Sequence, residues 1–388
     1  MYVNIAKMID RLNPEYLDFL EDICNIESNS YDRRGINCVA QFIAGMSRDQ
    51  SYSVSFRHFE KSGDCLCVDW INDLNSPFIV LSAHMDTVFE KGAFGYPPVR
   101  RDDEFIYGPG VCDCKGGIAV ALLTMAALRE CGFSALNIRL LLQSDEEVSS
   151  SLSNKETVKY ICDMARDCKV FFNLEPKYPG YLTLERGGII NTKFTVVGKS
   201  AHSSKKENGI NAVNEAVLKI AEIVKKESNG STLYNCGLIE GGKATNIIPD
   251  RCVFCVEARA FTKDDFEKAK LFLQEIAEKQ FVKGTDTTFE ILSERMPMPL
   301  TDFNVELFEK INRISESYGF GSLEKRRSLG GSDASYTTDA GIPTADGMGM
   351  VGYNMHSTQE KAEIKSLAQS AKLLSAIIIE LAKGDNHE

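Results

Sequence analysis

The chain has 388 residues, 43% of them hydrophobic and 26% charged, which is enough for two or three ordinary globular domains with ample core. A formal charge of -11 and a pI near 5.2 argue against nucleic acid or an anionic membrane surface as a partner. The longest apolar helical stretch, residues 118–128, is too short to span a bilayer. The opening MYVNIAKMIDRLNPEY carries acidic residues early and no long apolar region ahead of a small-residue cleavage site, so a cytoplasmic location is expected.

In chain order, His58 lies in a strand-like SVSFRHFE without notable company. The next apolar run, in FIVLSAHMDTV, ends in His84 with Asp86 two residues on. In an extended strand such residues face the same side, so Asp86 could accept the second ring N–H of a metal-bound His84. A satisfied histidine at a strand end has the same appearance, so this pair decides nothing alone. Asp113 follows in GPGVCDCKGG, where Gly116 and Gly117 open the helix IAVALLTMAALRE close to it. The spacing is not that of a phosphate loop, and the acidic residue would repel a phosphate. Glu146 and Glu147 follow the apolar run of IRLLLQSDEE; in an extended segment they would point to opposite sides, one ligating and one reaching a bound water. Without the strand before it, the Glu-Glu pair would read as a solvated loop. Glu175 ends a third apolar run, KVFFNLEP.

Residues 187–296 form a self-contained pattern: strand IINTKFTVV, a helix, strands STLYNCGLIEGG and RCVFCVEARAF, a second helix, and strand TTFEILSERM. That is a β-α-β-β-α-β, ferredoxin-like unit. Its first helix is expected to bury Val213, Val217, Ile220, Ala221 and Val224, its second Phe266, Ala269, Leu273 and Ile276. The flanking segments, 1–186 and 297–388, alternate strands and helices as a doubly wound α/β domain does, so the unit is an insertion into a discontinuous domain. Near the C-terminus His356 lies in GMGMVGYNMHS, and His387 in a polar tail. Ligand-type residues at the ends of several parallel strands fit the crevices of an open α/β sheet.

The elements HMDTV, GPGVCDCKGG, SDEE, LEP, GKSAHSS with NGINAV, NIIPD, EAR, GGSDAS and MHSTQE occur in that order between residues 84 and 360. This series resembles the M20 metallopeptidases, the group of glutamate carboxypeptidases, aminoacylases, acetylornithine deacetylases and succinyl-diaminopimelate desuccinylases. The resemblance implies two zinc ions bridged by Asp113, one also held by His84 and Glu175, the other by Glu147 and His356. Asp86 would orient His84, and Glu146 would be the general base that draws a proton from a metal-bound water to yield hydroxide. His202, in the insertion, would stabilise the oxyanion in the partner subunit of a homodimer formed through the inserted domain. Asn246 and Arg259 would bind the substrate carboxylate, with the backbone of Gly330 and Gly331 adding N–H donors. Imidazole and carboxylate donors suit Zn²⁺, and Co²⁺ or Mn²⁺ can substitute. An exposed strand arginine is the plainer account of Arg259.

Glu at position 175 resembles the carboxypeptidases and deacylases of that group, so the expected substrate is a small peptide or N-acyl-amino acid with a free carboxylate. A dipeptidase or aminopeptidase is the alternative; a catalytically silent binding protein or a cysteine-based metal buffer fits less well. The twelve cysteines suggest a reducing compartment rather than a disulfide framework. Cys252 and Cys255, three apart on a strand, should face opposite sides. Cys112 and Cys114 flank Asp113 and are expected to be bystanders. Two departures from the pattern are these cysteines and EAR, where many relatives have Asp at the first position.

Overall fold

The computed structural model describes residues 1–227 and 232–384; Ser231, where a strand was expected to begin, and the tail residue His387 lie outside them. The chain divides into two compact units, Met1–Leu184 with Leu300–Arg327 and Ser332–Glu388, and Glu185–Pro299 with Ser328–Gly331. Residues 328–331, which the sequence pattern puts with the outer segments, pack with the second unit: the Gly187 N–H donates to the Ser328 carbonyl at 2.8 Å. Among the described residues no helix is long and apolar enough to cross a membrane.

The first unit is built on an eight-stranded sheet in the order Ser53–Arg57, Cys65–Trp70, Asn137–Gln143, Phe78–His84, Val170–Asn173, Thr344–Asp346, Tyr181–Arg186, Glu324–Ser328. The strands from Asn137–Gln143 to Thr344–Asp346 pair in parallel. Being covered on both faces, they are continuous apolar runs rather than alternating ones. Ile79, Leu81, Leu140 and Phe172 face the core built with helices Tyr2–Asn25, Lys115–Glu130 and Ile364–Ala382, while Val80, Leu141 and Phe171 face helix Glu156–Ala165 on the other side. Helices on both faces of a mixed sheet with a parallel centre make this a doubly wound α/β fold.

Register then gathers the chemistry at one edge. His84 pairs with Gln143 and Ser82 with Asn173, so the segments leading to Asp86, Glu146 and Glu175 leave the sheet side by side. Helix Lys115–Glu130 starts against them because Gly117 has no side chain: a Cβ there would lie 2.2 Å from the Leu174 carbonyl oxygen. A smaller sheet, Gly352–Tyr353, Lys361–Glu363, Phe105–Tyr107 and Arg100–Arg101, ties the loop of His356 to the loop of Asp113.

The second unit has a four-stranded antiparallel sheet in the order Leu233–Gly241, Arg251–Ala260, Gly188–Val197, Asp286–Arg295, with helices Ala212–Glu227 and Lys263–Glu278. Strand order and connections are those of a ferredoxin-like unit. Helix Lys263–Glu278 buries Phe266, Ala269, Leu273 and Ile276 as expected. Helix Ala212–Glu227 follows the expected face only in part: Val213 and Ile220 pack half-buried against the core, but Val217 and Val224 are 51% and 54% exposed, while Ala212, Glu215, Ala216, Lys219 and Ile223 are buried. The charged residues are inside because they cap the neighbouring helix. Lys219 Nζ donates to the Ile276 and Ala277 carbonyls and pairs with Glu215 at 3.1 Å, and Glu215 accepts the Phe281 and Val282 N–H groups. A hydrophobicity stripe cannot anticipate a buried ion pair whose partners are backbone groups far along the chain. Cys252 is buried and Cys255 half-buried, on opposite sides of their strand.

Candidate metal centre

His84, at the end of its strand, is 1% exposed, and its two ring nitrogens face different partners. Nδ1 lies 3.0 Å from the Asp86 carbonyl oxygen and 3.3 Å from its Oδ1, so in the neutral ring an Nδ1–H held by Asp86 would turn Nε2 toward a cation. Nε2 lies 3.1 Å from Asp113 Oδ1, 3.8 Å from Glu175 Oε1 and 3.9 Å from Glu146 Oε2. On the far side, His356 Nε2 lies 3.4 Å from Asp113 Oδ2 and 3.2 Å from Glu147 Oε2. Asp113 thus offers one oxygen to each imidazole.

The two glutamates reach the same place by a route other than strand alternation. Glu146 and Glu147 stand in a turn after Asn137–Gln143, not in an extended segment, and the Ser149 N–H closes that turn on the Glu146 carbonyl at 2.7 Å. Asp86 holds it in place: Oδ1 accepts the Glu146 N–H at 3.2 Å, and Oδ2 the Glu147 N–H at 3.1 Å and the Ser30 hydroxyl at 2.7 Å. The sequence missed Ser30, which sits in SNSYD with no pattern to mark it. His356 adopts a left-handed backbone, φ 61°, uncommon for a residue with a Cβ and typical of functional loops.

The electrostatics are those of imidazoles packed among several carboxylates. Burial alone would lower the His84 pKa, but Cys114, Asp113, Asp86 and Glu146 raise it well above the usual imidazole value. Hydrogen bonds to Asp113 and Glu147 push His356 up to about 11. Burial would raise Asp113, yet hydrogen bonds from His356 and His84 hold it below the carboxylate range, while burial and the Asp113 charge push Glu147 up to about 8. These raised groups hold protons near neutrality that a metal has to displace, so metal affinity should fall as pH falls. Calorimetric metal titrations in buffers of different ionisation enthalpy should show a net release of about one proton or more, decreasing as pH rises past the Glu147 value. Buffer-independent heats would contradict this.

The donor set, imidazole nitrogens and carboxylate oxygens, fits borderline and hard divalent cations, and ligand atoms of His84, Asp113 and Glu147 lie within 4.8 Å of one another. Cys114, expected to be a bystander, also falls within 4.8 Å of His84 and Glu175 ligand atoms. Its thiol donates to the Leu174 carbonyl at 3.1 Å, and burial, reinforced by the Glu175 charge, pushes its pKa well up.

The remaining candidates lie in the second unit. Arg259 makes a bidentate pair with Glu257, Nε–Oε1 2.7 Å and Nη2–Oε2 3.0 Å, and donates from Nη1 to the Leu329 carbonyl at 2.8 Å. Three of its five N–H groups are thereby used. Gly330 does not present a free N–H, since it donates to Ser328 Oγ at 3.3 Å. A Cβ on Gly331 would lie 2.7 Å from Arg295 Cδ, so a side chain there would displace Arg295. Two buried arginines that sequence inspection passed over, Arg186 and Arg295, flank this loop. His202 and Asn246 are exposed and adjacent, the Ser203 N–H donating to the Asn246 carbonyl at 3.0 Å.

Imidazoles and carboxylates gathered at the carboxyl ends of a parallel sheet, with one carboxylate facing both imidazoles, define a metal-dependent hydrolase of the α/β class. The chain belongs to peptidase family M20/M25/M40, whose family model matches residues 80–380, and is accordingly a metallopeptidase or amidohydrolase. It is 27% identical over 383 residues to carboxypeptidase G2 of Pseudomonas sp. (strain RS-16), covering 96% of this chain and 90% of that one. Its fold matches aminopeptidase PepT of Bacillus cereus ATCC 10987 with a TM-score of 0.77 at 21% identity, over 95% of this chain and 99% of the other. It also matches YXEP of Bacillus subtilis, a dinuclear metal-binding peptidase of the M20 family, with a TM-score of 0.69 at 12% identity, over 96% and 99% of the two chains.

Proposed function

We propose that this chain is a dinuclear zinc-dependent hydrolase that cleaves an amide bond next to a free-carboxylate amino acid, as a carboxypeptidase or an N-acyl-amino-acid deacylase. The observation that carries the proposal is Asp113, one oxygen toward His84 and the other toward His356. Asp113 would bridge the pair, with His84 and Glu175 completing one site and Glu147 and His356 the other. The bound metals would acidify a water and polarise the scissile carbonyl. Glu146, 6% exposed beside His84, takes a proton from the attacking water and returns it to the leaving nitrogen. Asp86 holds His84 in its tautomer and fixes both glutamates through their backbone.

Substrate class rests on three supports: Glu at position 175, similarity to a carboxypeptidase over most of the chain, and the cationic surround of Leu329 to Gly331. Arg259 has two N–H groups left to offer a carboxylate, which would compete with Glu257 for it. A dipeptidase or aminopeptidase of the same family is the second reading. A panel of N-acyl-amino acids, acyl-glutamates and free dipeptides, with zinc added, separates them. The expected result is turnover of blocked substrates, with KM raised in Arg259→Ala by ~10-fold or more, as loss of a charge-assisted pair implies. Turnover of free dipeptides alone would establish the second reading.

A homodimer through the second unit is part of the proposal. Val217, Leu218 and Val224 on helix Ala212–Glu227 and Leu233, Leu238 and Ile239 on the sheet-edge strand Leu233–Gly241 are all exposed. An apolar strip beside an unpaired strand edge is a surface that a second copy can cover. His202 and Asn246, exposed on the same unit, would then serve the partner's site, His202 on the oxyanion and Asn246 on the carboxylate. Sedimentation velocity should give a dimer for the native chain and a monomer of strongly reduced activity for Val217→Asp with Leu238→Asp. A stable monomer retaining full activity would contradict this.

A further inference from the structure

Glu360 is completely buried, and its carboxylate is clamped on the backbone from which Asp113 projects. Oε1 accepts the Cys112 N–H at 3.0 Å, the Asp113 N–H at 3.1 Å and the Cys112 thiol at 3.4 Å, and Oε2 accepts the Gly110 N–H at 3.3 Å. Its main chain joins the two loops as well. The Glu360 carbonyl accepts the Gly108 N–H at 3.3 Å, and its N–H donates to the Ser357 carbonyl at 2.9 Å, closing the turn that follows His356. One residue therefore connects the loop bearing Asp113 to the loop bearing His356.

We infer that Glu360 is a positioning residue for the metal pair, holding the Asp113 carboxylate where it can span two cations and setting its distance to His356. The inference rests on the dinuclear reading above. One feature separates it from a plain packing role: the three backbone N–H groups need two acceptor oxygens, and an amide in the same place would turn an NH₂ toward the Gly110 N–H. Partners of this kind set ligand orientation and typically change metal affinity by about 10–100-fold.

The test uses the full chain as Glu360→Gln beside the native protein, with Co²⁺ as the probe, titrated against a competing chelator and followed by its visible absorption. The expected result is native binding of two Co²⁺ per chain, and in the variant a ~10–100-fold loss of affinity with a changed absorption band. The metal-free variant should match the native metal-free protein in melting temperature and circular dichroism, and turnover should drop in kcat with little change in KM. If Glu360→Gln does not fold, Glu360→Asp keeps both oxygens but withdraws them by one methylene, and the same direction is expected. Native affinity and spectrum in the variant would overturn the inference while leaving the dinuclear centre intact. Weakened binding matched by an equal loss of metal-free stability would overturn it too, making Glu360 a scaffold residue. A native chain that takes up no pair of cations would overturn the dinuclear reading, and this inference with it.

Discussion

Glu146→Ala is expected to lower turnover ~10²–10⁴-fold while leaving metal content at the native level. Both halves of that result follow from where the side chain lies. The turn after Asn137–Gln143 is fixed through backbone N–H groups on Asp86, so removing the Glu146 carboxylate leaves Glu147 in place. Of the three carboxylates within 4 Å of His84 Nε2, those of Asp113, Glu175 and Glu146, Glu146 is the one the proposed ligand sets leave unused. A carboxylate that holds no cation there is placed to exchange a proton with substrate and water. Kinetics on an N-acyl-amino acid together with elemental analysis of the same preparation read both quantities. Loss of metal in parallel with activity would instead make Glu146 a ligand.

Asp113→Ala should be at least as damaging, and in a different way. Because its two oxygens face His84 and His356 separately, its removal takes a ligand from both proposed cations. Metal content is expected to fall toward zero, with turnover at or below that of Glu146→Ala. His356→Ala, by contrast, should cost one cation and keep the other, since His356 faces only Asp113 and Glu147. Elemental analysis after dialysis distinguishes the two. Equal losses in Asp113→Ala and His356→Ala would mean that the two halves of the centre do not bind separately.

The residues that the structure gathers around Asp113 were legible in the sequence because polar residues of ligand type stand where apolar strands stop. His84, Glu146 with Glu147, and Glu175 each follow such a run, and the parallel register brings their strand ends together. The fold class was legible for the same reason, from continuous apolar strands alternating with helices. What escaped has no periodic signature. The Glu146–Glu147 turn owes its geometry to Asp86 and to Ser30, whose hydroxyl reaches Asp86 from 56 residues earlier. Helix Ala212–Glu227 turns a charged pair inward because Lys219 caps Lys263–Glu278, and turns valines outward. Arg186 and Arg295 become neighbours of Gly330 and Gly331 only through the tertiary fold. Glu360 stood inside MHSTQE, yet its role is defined by backbone N–H groups about 250 residues earlier, which composition and spacing do not reveal.

Anomalous scattering from crystals of the zinc-loaded protein, recorded at the zinc edge, tests the central claim most directly. The account predicts two peaks flanking the Asp113 carboxylate, one beside His84 and Glu175 and the other beside Glu147 and His356. A single peak, or a pair that does not share Asp113, would contradict it.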